Sequence, residues 1–351
     1  MEPTSSSSSF KFVFNSSSPL SLSPNFILPD DETVKPNLSQ VLPSSTSIPT
    51  IDMNIDHNSL VTKISNACEN YGFFQIINHG VSGDLYRQMM DVATNFFQLP
   101  HEERAKLYSE DRSVPVRVGG FHLKFQSQGK VNMWMEQLYH PVHPIEDYFH
   151  LLPENPPRYR EVAAAYAKET VDLVYRLLGL ISEGLELGTS YLQRRLGDKH
   201  ECHQQVNFYP PCPDPELTLG LQVHTDIGMI TILQQLEGVS GLQVIKDGKW
   251  LSVDPLPNAF IVNVADQLEV MSNGRYKSVH HRAVTNKEMP RISIATFCRP
   301  SKDAIIGPIE EMVSEEHPPI YRSYPYEEFF KEFCRQEGVR RRVKQVFQLN
   351  R

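Results

Sequence analysis

The spacing of hydrophobic and polar residues changes along the chain and separates helical from β-rich sequence. In the first half, apolar residues recur every three or four positions, as at Leu60, Ile64 and Ala67. That period places them on one face of a helix. The same spacing, with Ser82 as an N-cap and Gly188 as a terminator, predicts further helices. Helices are therefore predicted over 59–71, 82–97, 100–106 and 157–187.

Between residues 205 and 300 the apolar runs become short, rich in Val, Ile and Phe, and separated by Gly, Pro, Asn and Asp. The sequence 246–249, Lys-Asp-Gly-Lys, lies between two such runs and predicts a tight hairpin. Earlier apolar runs predict a β segment over 48–52 and a buried strand within 72–80. Several short strands at this spacing indicate a sandwich or closed β architecture.

The order of these elements predicts one α+β domain, with a mainly β core flanked by α-helices. Residues 109–129 are irregular, which is typical of a lid or binding loop. A last apolar stripe predicts a helix over 326–347. The expected segments are a disordered Ser/Pro-rich tail (1–45), a mostly helical region (46–200), the β core (201–305) and a C-terminal helical closure (306–351).

Composition narrows the classes of partner and compartment. The 351 residues carry a formal charge of −8, which argues against a nucleic-acid partner. The five cysteines contain no C-x-x-C pair, so reduced cytosolic thiols are favoured over disulfides. The chain has no apolar window of about 18 residues. We expect a cytoplasmic monomer without membrane contact; a nuclear location is a second option, and the arginine-free tail disfavours a plastid transit peptide.

His224, Asp226 and a later histidine form a candidate metal site. The i, i+2 spacing of His224 and Asp226 places both side chains on one side of an extended strand. His280 and His281 are both candidates for the third ligand, and strand alternation lets only one of them point inward. Two imidazoles and one carboxylate are the ligand set of non-haem Fe(II) oxygenases.

Arg291 and Ser293 form a second cluster, because alternation directs both to the same strand face. A buried guanidinium needs an anionic partner, and its fork matches a carboxylate. Asn207 and Tyr209 alternate in the same way and add donors. A metal site beside a carboxylate clamp suits a 2-oxo acid that binds both.

Short motifs recur over most of the chain after the tail. They are Ile48-Pro-Thr-Ile-Asp52, Gly72-Phe-Phe-Gln-Ile-Ile-Asn-His-Gly80, Asn207-Phe-Tyr-Pro-Pro-Cys-Pro213, His224-Thr-Asp226, Gly241-Leu-Gln243, Ser272-Asn-Gly-Arg-Tyr-Lys-Ser278, His281-Arg-Ala283 and Pro290-Arg-Ile-Ser293. In these motifs the chain resembles the plant 2-oxoglutarate and Fe(II)-dependent dioxygenases that oxidise flavonoids, alkaloids and hormones.

The resemblance implies a double-stranded β-helix (jelly roll), with Fe(II) on His224, Asp226 and His281 rather than His280. It also implies 2-oxoglutarate on Arg291, Ser293, Tyr209 and Asn207, ascorbate as reductant, and O2 and a small molecule as partners.

The substrate expected from this family is a small aromatic or polycyclic plant metabolite that is hydroxylated, desaturated or demethylated. Arg299 stands where some flavonoid oxidases carry an acidic residue, so it would either pair with an anionic substrate or face solvent. The candidate pocket walls are aromatic: Phe297, Phe121, Phe125, Trp134, Phe208, Phe329 and Phe333.

Two alternatives use the same residues differently. A zinc hydrolase would use the three metal ligands but leaves Arg291 and Ser293 without a task. A catalytically inactive binding protein of the same fold would keep the pocket alone.

Overall fold

The computed structural model describes residues 22–30, 35–42, 48–125, 129–336 and 342–349, without the side chains of residues 39, 124 and 125. Its helices are α1 (His57–Asn70), α2 (Gly83–Gln98), α3 (His101–Ala105), α4 (Ile145–Tyr148), α5 (Tyr159–Gly184), α6 (Tyr191–Arg195), α7 (Asp266–Met271), α8 (Tyr326–Arg335) and α9 (Val343–Val346). Its strands are β1 (Thr50–Asp52), β2 (Phe73–Ile77), β3 (Arg117–Gly119), β4 (His122–Phe125), β5 (Gly129–Asn132), β6 (Glu136–His143), β7 (Glu201–Tyr209), β8 (Leu221–His224), β9 (Ile230–Gln235), β10 (Leu242–Lys246), β11 (Lys249–Val253), β12 (Phe260–Val264), β13 (His281–Ala283), β14 (Arg291–Arg299), β15 (Ile305–Ile306) and β16 (Tyr324–Pro325).

Two sheets form the core. The larger has the order β1-β2-β12-β9-β14-β7-β6-β3, and the smaller has the order β11-β10-β13-β8. Apolar side chains from both sheets meet in one buried cluster, in which Phe73 and Ile261 pack with Val244 and Val253. The sheets therefore face each other, as the predicted β sandwich requires. The hairpin predicted at 246–249 joins β10 to β11, with Lys246 opposite Lys249.

The other face of the large sheet is covered by helices. Ile292 and Ile294 of β14 belong to the main core, together with Leu177 and Ile181 of α5. Helices α1 and α2 pack in turn on α5. Because side chains alternate along a strand, the residues between these isoleucines point toward the smaller sheet. The large sheet thus has one apolar face and one face that lines the space between the sheets.

Some segments differ from the predictions. Within the mostly helical region 46–200, β2 lies at the predicted strand, and β6, which was not predicted, also joins the large sheet. The stretch 109–129, expected to be irregular, contains β3, β4 and the first residue of β5. The helix expected over 326–347 is divided into α8 and α9, and residues 337–341 lie outside the described part.

Two described parts of the tail that was expected to be disordered (1–45), residues 22–30 and 35–42, are ordered and contact the core. Phe26 and Leu28 are buried, and the ring of Phe26 meets that of Trp134 edge-on at 5.1 Å. Leu42 bridges to Leu251 at the edge of the smaller sheet. A few apolar residues within a polar segment suffice to dock it on the core. Residues 1–21, 31–34 and 43–47 lie outside the described part.

The C-terminus is tied to the core by a buried ion pair. Nζ of Lys344 in α9 lies 3.1 Å from Asp266 Oδ1 and 2.9 Å from Glu269 Oε2, both in α7. Asp266 also accepts a hydrogen bond from Ser278. The cation therefore neutralises two carboxylates that burial would otherwise destabilise.

Among the described helices, none is long and apolar enough to cross a membrane.

We expect Lys344→Met to lower the free energy of unfolding by about 3 kcal/mol, since it leaves buried carboxylates without their cation. Lys331→Met is the control, because exposed Lys331 pairs with Glu327 at the surface and its loss should cost under about 0.5 kcal/mol. Denaturant unfolding of both variants measures the difference. Equal losses would show that the Lys344 pair does not anchor the C-terminus.

Candidate active site

His224, Asp226 and His281 converge in the space between the sheets. His224 ends β8 and His281 begins β13, and the two residues are direct partners across the ladder. Asp226 Oδ1 lies 3.6 Å from Nε2 of each histidine. All three ligand atoms lie within 4.8 Å of one another. The structure thus brings together the three residues that the sequence singled out, with His281 rather than His280.

Backbone carbonyls set the direction of both imidazoles. Nδ1 of His224 lies 2.8 Å from the carbonyl oxygen of Gln222, and Nδ1 of His281 lies 3.3 Å from that of Val279. Each Nδ1–H donates to its carbonyl, which leaves the Nε2 lone pair facing Asp226. Burial, and next the neighbouring His224, lowers the pKa of His281 to about 4. His281 is therefore neutral near pH 7, the form that binds a cation.

Two neighbouring strands hold the carboxylate of Asp226. Thr231 Oγ1 of β9 donates to Asp226 Oδ2 at 2.7 Å, and Asn263 Nδ2 of β12 donates to the same oxygen at 2.5 Å. Oδ1 is left to face the histidines. The motif H-x-D does not reveal these partners. Their inward position on β9 and β12 is the available sign, and it can be read only once the strand pairing is known.

The donor set fits a divalent metal with open positions. Two imidazole nitrogens and one carboxylate oxygen, with no thiolate, match the facial triad of non-haem Fe(II) sites. The hydrogen bonds behind each ligand are the outer-shell contacts that orient metal ligands.

Arg291, Ser293, Tyr209 and Asn207 also lie together on the inner face of the large sheet. Arg291 pairs with Tyr209, and Ser293 with Asn207, in the ladder between β14 and β7. The guanidinium carbon of Arg291 lies 5.0 Å from the Tyr209 ring centroid, and Asn207 Nδ2 lies 3.5 Å from Ser293 Oγ. The structure therefore places the four predicted residues as one cluster.

Arg291 is buried with unused donors. Its Nη2 donates to Gln235 Oε1 at 2.7 Å, a partner that the sequence did not suggest. Its Nε and Nη1 are buried without a hydrogen-bond partner among the described residues. Since a buried cation without an anionic partner is costly, these free donors on two nitrogens of Arg291 suit an anionic ligand.

Two glycines make room for this cluster. A Cβ at Gly241 would lie 2.6 Å from Arg291 Cδ, and a Cβ at Gly220 would lie 2.5 Å from Tyr209 Cδ1. Arg291 and Tyr209 hold their positions because neither glycine carries a side chain.

The metal-ligand cluster and Arg291 line one cavity of about 950 Å³. Three of the seven predicted aromatic wall residues line it: Phe297, Phe121 and Phe333. Phe297 stacks on His203 with ring centroids 4.9 Å apart. Phe330 also lines the cavity and was missed by the sequence analysis, although it lies on the predicted C-terminal helix.

Three predicted wall residues lie elsewhere. Phe208 points to the helical side and stacks on Phe97 at 5.0 Å, because its neighbours Asn207 and Tyr209 take the inner face. Trp134 is buried against Phe26. Phe329 packs in the C-terminal core against Tyr324 and Phe347. The side chain of Phe125 lies outside the described part.

Comparison with known proteins gives the family. Residues 200–300 match the 2OG-Fe(II) oxygenase superfamily, and residues 48–160 match the N-terminal region described as non-haem dioxygenase in morphine synthesis. Protein DMR6-LIKE OXYGENASE 2 of Arabidopsis thaliana is 45% identical over 316 residues, which cover 88% of this chain and 89% of that protein. The chain belongs to the 2OG-Fe(II) oxygenase superfamily.

Other oxygenases are also similar to this chain over most of its length. Flavanone 3-dioxygenase 2 of Oryza sativa subsp. japonica is 40% identical over 304 residues, covering 86% of this chain and 87% of that protein. The crystal structure of JOX2 in complex with 2OG, Fe and JA superposes with a TM-score of 0.84 at 33% identity, covering 95% of this chain and 96% of that chain. The predicted family and jelly-roll fold are confirmed.

The enzyme is an Fe(II)- and 2-oxoglutarate-dependent dioxygenase, as the family and the solved complex indicate. The predicted Fe(II) and 2-oxoglutarate are thereby confirmed. The named relatives are oxygenases, and they match neither the zinc hydrolase nor the inactive binding protein.

We expect Thr231→Val to weaken metal binding about tenfold, since loss of an outer-shell hydrogen bond to a ligand costs roughly that factor or more. Thr170→Val is the matched control: Thr170 is buried in α5 and donates to a backbone carbonyl at 2.7 Å. Calorimetric titration of the metal-free proteins with Co(II) measures both affinities. An unchanged affinity in Thr231→Val would contradict a role in holding Asp226.

Proposed function

We propose that this oxygenase hydroxylates a small, planar aromatic or polycyclic plant metabolite, with Fe(II) on His224, Asp226 and His281 and 2-oxoglutarate on Arg291. One observation carries the proposal. The three-ligand cluster and a buried guanidinium with two unused donors line the same cavity. A cosubstrate that chelates the metal at one end and carries a carboxylate at the other would bind to both the ligand cluster and the guanidinium group.

The protein contributes binding, orientation and exclusion of water. When bound, iron and 2-oxoglutarate supply the oxygen chemistry: O2 and 2-oxoglutarate yield succinate and CO2, and the second oxygen atom enters a C–H bond of the substrate. His224 and His281 would hold the metal through their Nε2 atoms, and Asp226 through Oδ1. Ascorbate serves as the external reductant.

Arg291 and Ser293 would bind the distal carboxylate of 2-oxoglutarate. The fork of Arg291 matches that group, and the Ser293 hydroxyl lies on the same strand face. Tyr209 contributes its hydroxyl, and burial raises its pKa, so it remains a hydrogen-bond donor at neutral pH. Asn207 supports Ser293 from the neighbouring strand.

An aromatic wall supports a flat substrate. The Phe297 and His203 rings lie nearly parallel, with 12° between their planes. Phe297 is paired across the ladder with Thr231, whose hydroxyl holds Asp226. A ring lying on this wall is therefore close to the metal ligands, where a C–H bond must be placed to react.

We expect Arg291→Gln to raise the KM for 2-oxoglutarate about ten- to hundredfold, since hydrogen bonds to charged groups contribute roughly 1.5–3 kcal/mol. The KM of Arg291→Lys should lie between those of the wild type and Arg291→Gln, because lysine keeps the charge but loses the forked guanidinium group. Succinate release with Fe(II), ascorbate and varied 2-oxoglutarate measures the effect.

Exposed Arg335 of α8 gives the control variant, Arg335→Gln, which should match the wild type. Arg291→Gln should bind Co(II) as tightly as the wild type does, and this binding serves as the control that the variant is folded. An unchanged KM in Arg291→Gln would overturn the clamp. Wild-type protein that forms no succinate with any plant aromatic tested would overturn the proposed function.

We also propose that the enzyme acts as a cytoplasmic monomer. All three metal ligands and the clamp come from one chain, so the site requires no partner residue. Light scattering across a concentration series should give the mass of a single chain, 40.1 kDa, and a dimer mass would contradict the proposal.

A further inference from the structure

Arg299 ends β14 as a cation set into the wall of the active-site cavity. Its Nη2 donates to Tyr139 at 3.2 Å and to His203 Nδ1 at 2.9 Å. Its Nε is buried without a hydrogen-bond partner among the described residues. The side chain is 13% exposed, and its nearest described carboxylate, Glu201, lies 4.0 Å away and is 54% exposed.

A second guanidinium adjoins the first. The Arg117 guanidinium carbon lies 3.9 Å from the ring centroid of Tyr139, the same tyrosine that accepts from Arg299. Arg117 donates to the carbonyl oxygen of Val114. No carboxylate of the described residues makes an ion pair with it. Tyr139 therefore contacts both cations: Arg117 lies over its ring, and Arg299 donates to its hydroxyl group.

The imidazole ring of His203, which also contacts Arg299, does not offset the positive charge of the two arginines. Burial, and next the charge of Arg299, holds the pKa of His203 well below its usual range. His203 is therefore neutral and accepts from Arg299. The carboxylates that act on these two cations are exposed: Glu201 lies 4.0 Å from Arg299, and Asp111 raises the pKa of Arg117 against the larger lowering by burial. Burial lowers the pKa of Arg299, but Tyr326, Tyr139 and Glu201 together raise it, so the group is a cation. Because burial of a cation is costly, a bound anion would stabilise both guanidinium groups further.

The position of this charge suits one end of a substrate. Arg299 follows Phe297 by two residues on the same strand, so the two side chains share a face and lie about 6.6 Å apart along it. Phe297 stacks on His203, and Thr231 beside it holds the metal ligand Asp226. A benzene ring over Phe297 would thus project a substituent of one to three atoms toward Arg299.

We propose that Arg299 and Arg117 form an anion subsite that binds the carboxylate of an aromatic acid substrate and thereby selects acids over neutral aromatics. This subsite rests on the proposed function, since it assumes that the oxidised ring lies over Phe297. It is separate from the cosubstrate clamp, because Arg291 lies eight residues away at the other end of β14.

Holding Tyr139 and His203 in place is not a sufficient role for Arg299. Both contacts use Nη2, so they leave Nε buried and unused. A neutral glutamine would make comparable contacts without desolvating a charge. A purely structural role therefore predicts that Arg299→Gln affects acids and neutral ligands alike, whereas an anion subsite predicts a loss confined to acids.

Two matched pairs of probes separate these roles: trans-cinnamate with trans-cinnamamide, and benzoate with benzamide. Each pair keeps the ring and shape and differs in charge. Calorimetric binding is measured on the full chain with Fe(II) and saturating 2-oxoglutarate, without O2, so that Arg291 is occupied and no turnover occurs.

We expect the wild type to bind at least one acid about tenfold or more tightly than its amide. Arg299→Gln should weaken acid binding about ten- to hundredfold and change amide binding less than about threefold. Arg117→Gln should act in the same direction, and Arg299→Lys should recover part of the acid affinity because the charge is retained. Arg335→Gln is the surface control and should bind like the wild type.

The proposal is overturned if neither acid is preferred over its amide, if Arg299→Gln weakens both members of a pair equally, or if acid binding is lost in Arg291→Gln but not in Arg299→Gln. Succinate formation by the wild type in air tests the proposed function separately from the anion subsite. Succinate without acid preference refutes the subsite alone, and acid preference without succinate refutes the proposed function alone. Retained amide binding shows that Arg299→Gln is folded.

Discussion

Strand β14 has to satisfy two environments at once, and the rest of the molecule is built around that requirement. Ile292 and Ile294 face the helices, while Arg291 and Ser293 face the space between the sheets. A strand can do this because its side chains alternate, but the inner face is then both polar and buried. Its polar atoms must find partners, and the unpaired donors of Arg291 and Arg299 are the two places where we propose that a ligand binds.

The metal site is stiffened from several elements. Asp226 lies in the turn after β8, yet its side chain is fixed from β9 and β12, and its carbonyl oxygen accepts from the backbone N–H of Asp266 at 2.8 Å. Asp266 in turn contacts Lys344 near the C-terminus. Residues far apart in the chain thus fix the position of the Asp226 carboxylate. That positioning depends on the packing of the whole fold.

Sequence alone predicted the parts of the site that follow from local spacing. The i, i+2 rule placed Arg291 with Ser293 and Asn207 with Tyr209, and family motifs selected His281. The same rule, applied to Phe208, would have sent that residue to the helical side. Contacts between distant strands were beyond reach: Thr231 on Asp226, Tyr139 on Arg299, and the burial of Trp134 under Phe26 all depend on pairings that no local pattern encodes.

The glycines behind the cosubstrate clamp bear on how the pocket is sized. Gly220 and Gly241 sit against Tyr209 and Arg291, with no space for even one methyl group. Any larger residue there has room only if the clamp moves forward into the cavity. In the proposed binding mode, two residues that contribute no side chain to the cavity would therefore limit the length of the 2-oxo acid, and a comparison of cavity-lining side chains alone would miss that limit.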